Sequence, residues 1–232
     1  MKFISSLLLS FFLFGALSVY SQSSRYDIDG ALEMLDEAVA GREYYFGLRE
    51  SRIDSVRNAM PASTVDQKLA LYERIGDEFS RLDNDSVLIY YTRGLNTAIE
   101  CGNDSLVDVF RLKLAAHMPV AGFITLAKTY YESVDTAGMS RDMKYLYYQC
   151  GRDMNYFIGL LYGSFSSDPD VWLRRVGDCY GHMIELRNDT TDICVKNLGD
   201  YYLLTGRHAQ SWDLLIDLLD RLDHNTYMYA NT

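Results

Sequence analysis

Proline occurs only three times in these 232 residues, and cysteine and histidine four times each. Pro61, Pro119 and Pro169 all fall between helical patterns, so no helix-length stretch carries a residue that would break its hydrogen-bond ladder. His117, His182, His208 and His224 are scattered, with no two spaced i,i+4 as helical zinc ligands are. Cys179 and His182 can share a helix face, but two ligands do not make a metal site. The chain has no C-x-x-C, no H-E-x-x-H, no Walker loop and no nucleophile elbow. Carboxylate pairs such as Asp83 with Asp85 and Asp217 with Asp220 read as caps and solvated faces. The expectation is therefore a protein without enzymatic activity, cofactor or metal. Clustered basic residues are equally scarce. The formal charge is -10, and Arg174-Arg175 is the densest basic pair after the first residues, which argues against a nucleic-acid surface.

Long apolar runs are missing after Tyr20, so no membrane span is expected beyond that point. The one such run comes first: Lys2 precedes an apolar stretch from Phe3 to Val19, interrupted by Ser5, Ser6 and Ser10, and Val19-Tyr20-Ser21 reads as a cleavage site. Residues 1–21 are thus expected to be a signal peptide rather than an anchor, and the mature chain to be exported. Cys101, Cys150, Cys179 and Cys194 permit disulfides in such a compartment, but all four fall in or beside helical patterns, which favours packed free thiols. About 211 residues remain after cleavage, enough for one large domain or one continuous solenoid.

What the chain has in quantity is helical periodicity. From Asp189 to Leu222, two helix-length stretches flank Thr205-Gly206-Arg207, with Val195, Leu198, Gly199 and Tyr202 striping the first and Trp212, Leu215, Ile216, Leu219 and Leu222 the second. Leu198, Gly199, Tyr202 and Gly206 resemble the signature of the tetratricopeptide repeat, and Ser211 stands where that family prefers alanine. Ile75, Gly76 and Phe79 repeat the spacing in a second hairpin, whose turn at Leu82 to Ser86 is one residue short. Residues 22–61 read as one long N-terminal helix with a heptad-like seam through Leu32, Leu35, Val39, Phe46, Ile53 and Val56, weakened at Gly41. Further helices are expected at 105–117, 120–134, 141–162 and from Pro169 onward, with no strand-like alternation. The expected fold is all-α: a tetratricopeptide-like right-handed solenoid of antiparallel hairpins over residues 62–232, behind the long helix. The aromatic stretch from Asn225 looks cut in mid-repeat, so a longer protein with a further C-terminal region is expected.

Tyrosine is the marked excess, at 19 residues. Adjacent pairs at 90–91, 130–131, 147–148 and 201–202 diverge by about 100° on a helix, so one ring of each pair can enter the core while the other faces a groove. Tyr91, Tyr131, Tyr147 and Tyr201 are the candidate groove rings.

Ser21-Gln22, Leu35-Asp36, Arg42-Glu43-Tyr44, Glu50 to Ser55, Leu71-Tyr72 and Asn84 to Val87 with Tyr90-Tyr91 together resemble a family of tetratricopeptide-containing regulators from Bacteroidetes. The resemblance implies a periplasmic helical sensor, followed in full-length members by a transmembrane helix, a coiled coil and a cytoplasmic output region acting in transcription. It assigns no functional residue. The expected partner is a peptide, protein or glycan held on the repeat surface, the alternative being a self-contained scaffold of an envelope complex. Asp85-Ser86-Val87 and Asp189-Thr190-Thr191 are among five stretches that also resemble an O-glycosylation sequon, although helix capping explains at least some of them.

Overall fold

The computed structural model describes residues 28–60, 63–80, 82–168 and 170–223. The expected signal peptide, Pro61, Pro169 and the stretch from Asn225 lie outside the described residues. Ten α-helices and two short 3-10 turns make up the described chain, which contains no strand.

The chain divides into two units at Gly47. The first contains α1 (Ile28–Ala40) and the start of α2 (Arg42–Ala59). The single helix expected over 22–61 is therefore two helices. Gly41 takes a turn between them, its N–H donating to the Glu37 carbonyl at 2.9 Å and its carbonyl accepting from Tyr44 at 3.1 Å. Glycine is among the weakest helix formers, and the ladder yields there.

The second unit runs from Leu48 and holds four helix pairs: α3 (Val65–Phe79) with α4 (Asn84–Glu100), α5 (Asp104–His117) with α6 (Ile124–Glu132), α7 (Arg141–Tyr162) with α8 (Val171–Leu186), and α9 (Asp192–Leu204) with α10 (His208–Leu219). Each pair packs as a hairpin, and successive pairs join through α4 on α5, α5 on α7 and α8 on α9. The end of α2 belongs to this stack: Ile53 and Val56 are buried, and Arg52 grips the Glu78 carboxylate of α3 through two bonds of 3.0 Å.

Local chemistry accounts for the starts of four of the helices. Thr64 and Gln67 form a reciprocal capping box on α3, Asp83 accepts from the N–H groups of Asp85 and Ser86 on α4, and Asn103 and Ser140 cap α5 and α7. The Ser86 hydroxyl donates to Asp83 at 2.6 Å, so this sequon-like hydroxyl is engaged in a cap, whereas in the Asp189 stretch it is Thr191, one residue after the sequon-like Thr190, whose hydroxyl donates to Asp189. The helix expected from Val120 starts instead at Ile124, because Met118–Ala121 tightens into a 3-10 turn around Pro119.

Gly206 closes α9 at φ 75°, and the next N–H, of Arg207, reaches back to the Tyr202 carbonyl at 2.8 Å. A side chain in this left-handed region costs about 1–2 kcal/mol. Gly206→Ala is accordingly expected to lower the melting temperature by about 2–8 °C for a chain of this size. An unchanged melting curve would mean that the turn does not hold the last hairpin.

The core is built on glycines facing large side chains. Gly76 of α3 lies under Tyr91 of α4, Gly94 of α4 under Phe110 of α5, Gly151 of α7 under Tyr131 of α6, Gly159 of α7 under Trp172 of α8, and Gly199 of α9 under Leu215 of α10; a Cβ at any of the five would overlap its neighbour. The repeat signature thus marks where a side chain settles directly onto a partner helix's backbone. Ser211 is buried in the last hairpin, and its hydroxyl donates to the Gly199 carbonyl at 2.8 Å. That bond is why serine is tolerated where alanine is usual, since a buried hydroxyl needs a partner.

Candidate functional site

The signature residues are packing elements. Ile75, Gly76 and Gly199 are buried; Phe79 stacks on Tyr90 at 6.1 Å between ring centres, and the Arg207 guanidinium lies 4.1 Å from the Tyr202 ring centre. Leu198 is half-buried on α9, and Gly206 makes the turn that follows.

Tyr91 is not a groove ring. It is 2% exposed and sits over Gly76. Leu215 follows Gly199 by sixteen residues, but the short turn brings Tyr91 to the equivalent place fifteen residues after Gly76. The missing turn residue rotates the pair, so Tyr90 is the more exposed of the two. Burial, with Asp77 close by, pushes the Tyr91 phenol far above its ordinary range, and its hydroxyl donates to Asp77 at 2.6 Å.

Asp77 also meets the Lys113 ammonium of α5 at 2.6 Å, and Glu73 reaches the same ammonium at 2.9 Å. Burial alone would lower the Lys113 pKa, but the two carboxylates outweigh it and raise it. A second polar clasp ties α7 to α8 and α9. Arg152 binds Asp153 at 2.7 Å, reaches Asn197 at 3.4 Å and lies 5.2 Å from the Tyr180 ring centre. The Tyr180 hydroxyl and Lys196 both donate to Asp200, at 3.1 and 2.8 Å, and Asn197 donates to the buried Tyr145 hydroxyl at 2.7 Å. Each of these cations already meets a carboxylate, so the two clasps set the register of the helices.

The half-exposed aromatics converge elsewhere, across α6, α7 and α8. Tyr131 stacks on Tyr147 with ring centres 4.3 Å apart, Tyr147 meets Tyr148 edge-on at 5.4 Å, and Tyr148 stacks on His182 at 4.4 Å. Tyr131, Tyr147 and Tyr148 are half-buried and His182 is exposed. Burial and the hydrogen bond with Tyr147 push the Tyr131 phenol well above its usual range. Of the four candidate rings, the fold brings Tyr131 and Tyr147 together and leaves Tyr201 apart, packed on the Tyr145, Val176, Tyr180 and Met183 cluster with Arg207 over its face. Tyr148 and His182 were not anticipated. Tyr148 belongs to an adjacent pair that sequence could flag, but the place of His182 depends on how α8 lies against α7, and no local pattern encodes that.

All four cysteines are free thiols. Burial pushes Cys150 up to about 12 and Cys179 up to about 11. Among the described residues no group of three His, Cys, Asp or Glu side chains could hold a metal ion, and no helix is long and apolar enough to cross a membrane.

Comparison with curated proteins finds no match. A family match does cover most of the chain: residues 39–232 fit the family described as SusR N-terminal TPR domain. The stacked hairpins, the glycines beneath large side chains and the turn at Gly206 are what such a repeat requires. The chain belongs to the SusR N-terminal TPR domain family, an all-α helical-repeat region of the protein-interaction type.

Proposed function

We propose that this chain is the ligand-binding input region of an exported, periplasmic sensor, a non-enzymatic module that passes occupancy to a transmembrane regulator of transcription. The family match supports the regulator, and the export-type character of residues 1–21 supports the compartment. The ligand is a peptide, protein or glycan on the repeat surface. Ile216, exposed on α10, is apolar surface that a further helix of a longer chain would cover.

The observation that carries the reading is the ribbon of Tyr131, Tyr147, Tyr148 and His182. Four rings in consecutive contact, carried on three helices, give an amphipathic aromatic surface at little entropic cost. Such a surface suits apolar side chains of a peptide or the C–H faces of a sugar. Screening peptide and glycan collections by thermal shift should find a stabilising ligand. Tyr147→Ala is then expected to weaken its binding by about tenfold or more, and Tyr201→Ala to leave it unchanged. A ligand indifferent to Tyr147 would place binding elsewhere, and a chain that no ligand stabilises would fit the self-contained scaffold instead.

A further inference from the structure

Trp172 opens α8 and lies over Gly159 of α7, half-buried against the largest core cluster. Two cations converge on it. The Lys128 ammonium of α6 stands 5.2 Å from its ring centre and the Arg175 guanidinium of α8 stands 5.0 Å from it. Cations on an indole are ordinary. No described carboxylate lies within ion-pair distance of either one, which holds also for Arg93 on the Tyr90 ring and Arg207 on the Tyr201 and Tyr202 rings; what sets Trp172 apart is that two such cations share one ring. Elsewhere in the unit Arg52, Lys113, Arg152, Arg174, Arg187, Lys196 and Arg221 all have carboxylate partners, in a chain with ten more acidic than basic residues. Placing two cations on one ring without an acid leaves both charges uncompensated.

The third element is the indole itself. Its Nε1 is buried and has no hydrogen-bond partner. An unpaired buried donor is uncommon, because its hydration is lost with nothing in return. Around one ring there are therefore an ammonium, a guanidinium and an N–H. All are donors and none can accept. The complement of a donor-only cluster is an acceptor-only group with negative charge, and the apolar ring beside it favours an anion attached to a C–H-rich body. The rotatable Lys128 side chain is the element that can swing to admit it.

We infer that Lys128, Trp172 and Arg175 form a binding site for a carboxylate-bearing ligand. The site shares no residue with the aromatic ribbon, so it stands whether or not the ribbon binds anything. A carboxylate drawn to Lys128 and Arg175 would offset both charges, with the unpaired indole N–H available as a third donor. The carboxylate has two ready sources in an exported protein, a uronic acid of a glycan and an acidic side chain or C-terminus of a peptide.

Trp172 supplies the readout. The chain contains two tryptophans, so Trp212→Phe leaves an emission that reports on Trp172 alone. In that background the chain is titrated with a trigalacturonate, with a short acidic peptide, and with the corresponding neutral galactose oligomer and amidated peptide. A saturable change in Trp172 emission with at least one of the two carboxylate probes is expected, with neither neutral analogue reproducing it. Whichever probe binds identifies the source, and response to both marks the bare carboxylate as the determinant. Lys128→Gln with Arg175→Gln should weaken binding by about tenfold or more, the effect of losing charge-assisted bonds. Both residues are at the surface or partly so, and circular dichroism checks that the double variant keeps its fold; Lys128→Arg, which retains the charge, should keep most of the affinity. The inference is overturned if neither carboxylate probe gives a saturable change, if the neutral analogues match them, or if the double variant binds equally well.

Discussion

Gly94→Ala is expected to destabilise the repeat region by about 1–3 kcal/mol, although alanine is the better helix former. Gly94 lies in the middle of α4, and the added methyl would overlap the ring of Phe110, which is 0% exposed. That ring has α4 on one side and the Leu114, Met154 and Ile158 cluster around it, so it cannot retreat without moving α5. The propensity gain of about 1 kcal/mol offsets only part of the strain. Gly177→Ala is the matched control. It sits within α8 with nothing inside 4 Å of its added methyl, and should gain up to about 1 kcal/mol. At about 2–4 °C per kcal/mol, thermal unfolding by circular dichroism should separate the two variants clearly and in opposite directions. A Gly94→Ala protein as stable as the parent would refute the idea that these close approaches hold the stack together.

Raising the pH from 8 to 11 is expected to produce a second large loss, through thiols rather than carboxylates. Burial holds Cys150 at about 12 and Cys179 at about 11 in the folded chain, against about 8.5 in an unfolded one. A group with a raised folded pKa contributes stability that is whole below its unfolded value and disappears as the pH climbs to the folded value. From about pH 9 to 11 the folded chain retains two protons that the unfolded chain has lost, which corresponds to about 2–3 kcal/mol per pH unit. The phenols of Tyr91 and Tyr131 and the ammonium of Lys113, all raised, act in the same direction at still higher pH. Urea midpoints at pH 8, 9 and 10 would show a steep fall. In the Cys150→Ala, Cys179→Ala double variant the starting stability drops, because two packed groups are removed, but the dependence on pH should flatten. Equal slopes in the two proteins would mean that the thiols are not shielded.

The two predictions depend on different kinds of information. Gly76 and Gly199 were visible in the sequence, because the signature spacing marks them within one helix. Their partners were harder to see. Leu215 is found by counting along a turn of standard length, whereas the same count from Gly76 lands one residue past Tyr91, because the turn at Leu82 to Ser86 is one residue short and shifts the face of α4 that meets Gly76. Gly94, Gly151 and Gly159 obey the same rule with no signature around them, so only their packing shows it. The candidate site divides in the same way. Tyr147 stood out as one of an adjacent pair, but its contacts come from α6 and α8, separated from it by loops whose course no periodicity reports.

The sequence by itself determined the all-α class, the positions of most hairpins and many of the caps and turns. These depend on apolar spacing at i, i+3 and i+4, on Asp, Asn, Ser and Thr before a helix and on glycine after one, and every partner in those interactions lies within a few residues. Only the tertiary structure decided that Tyr91 is core, that Tyr131, Tyr147, Tyr148 and His182 form one ribbon, and that Lys128 and Arg175 meet at Trp172 without an acid. Those outcomes depend on the rotation of one helix against another, set by the turn length and by the glycines that admit close approach. Changing a turn by one residue turns a helix face by about 100°, enough to exchange a buried ring for an exposed one without altering the local pattern.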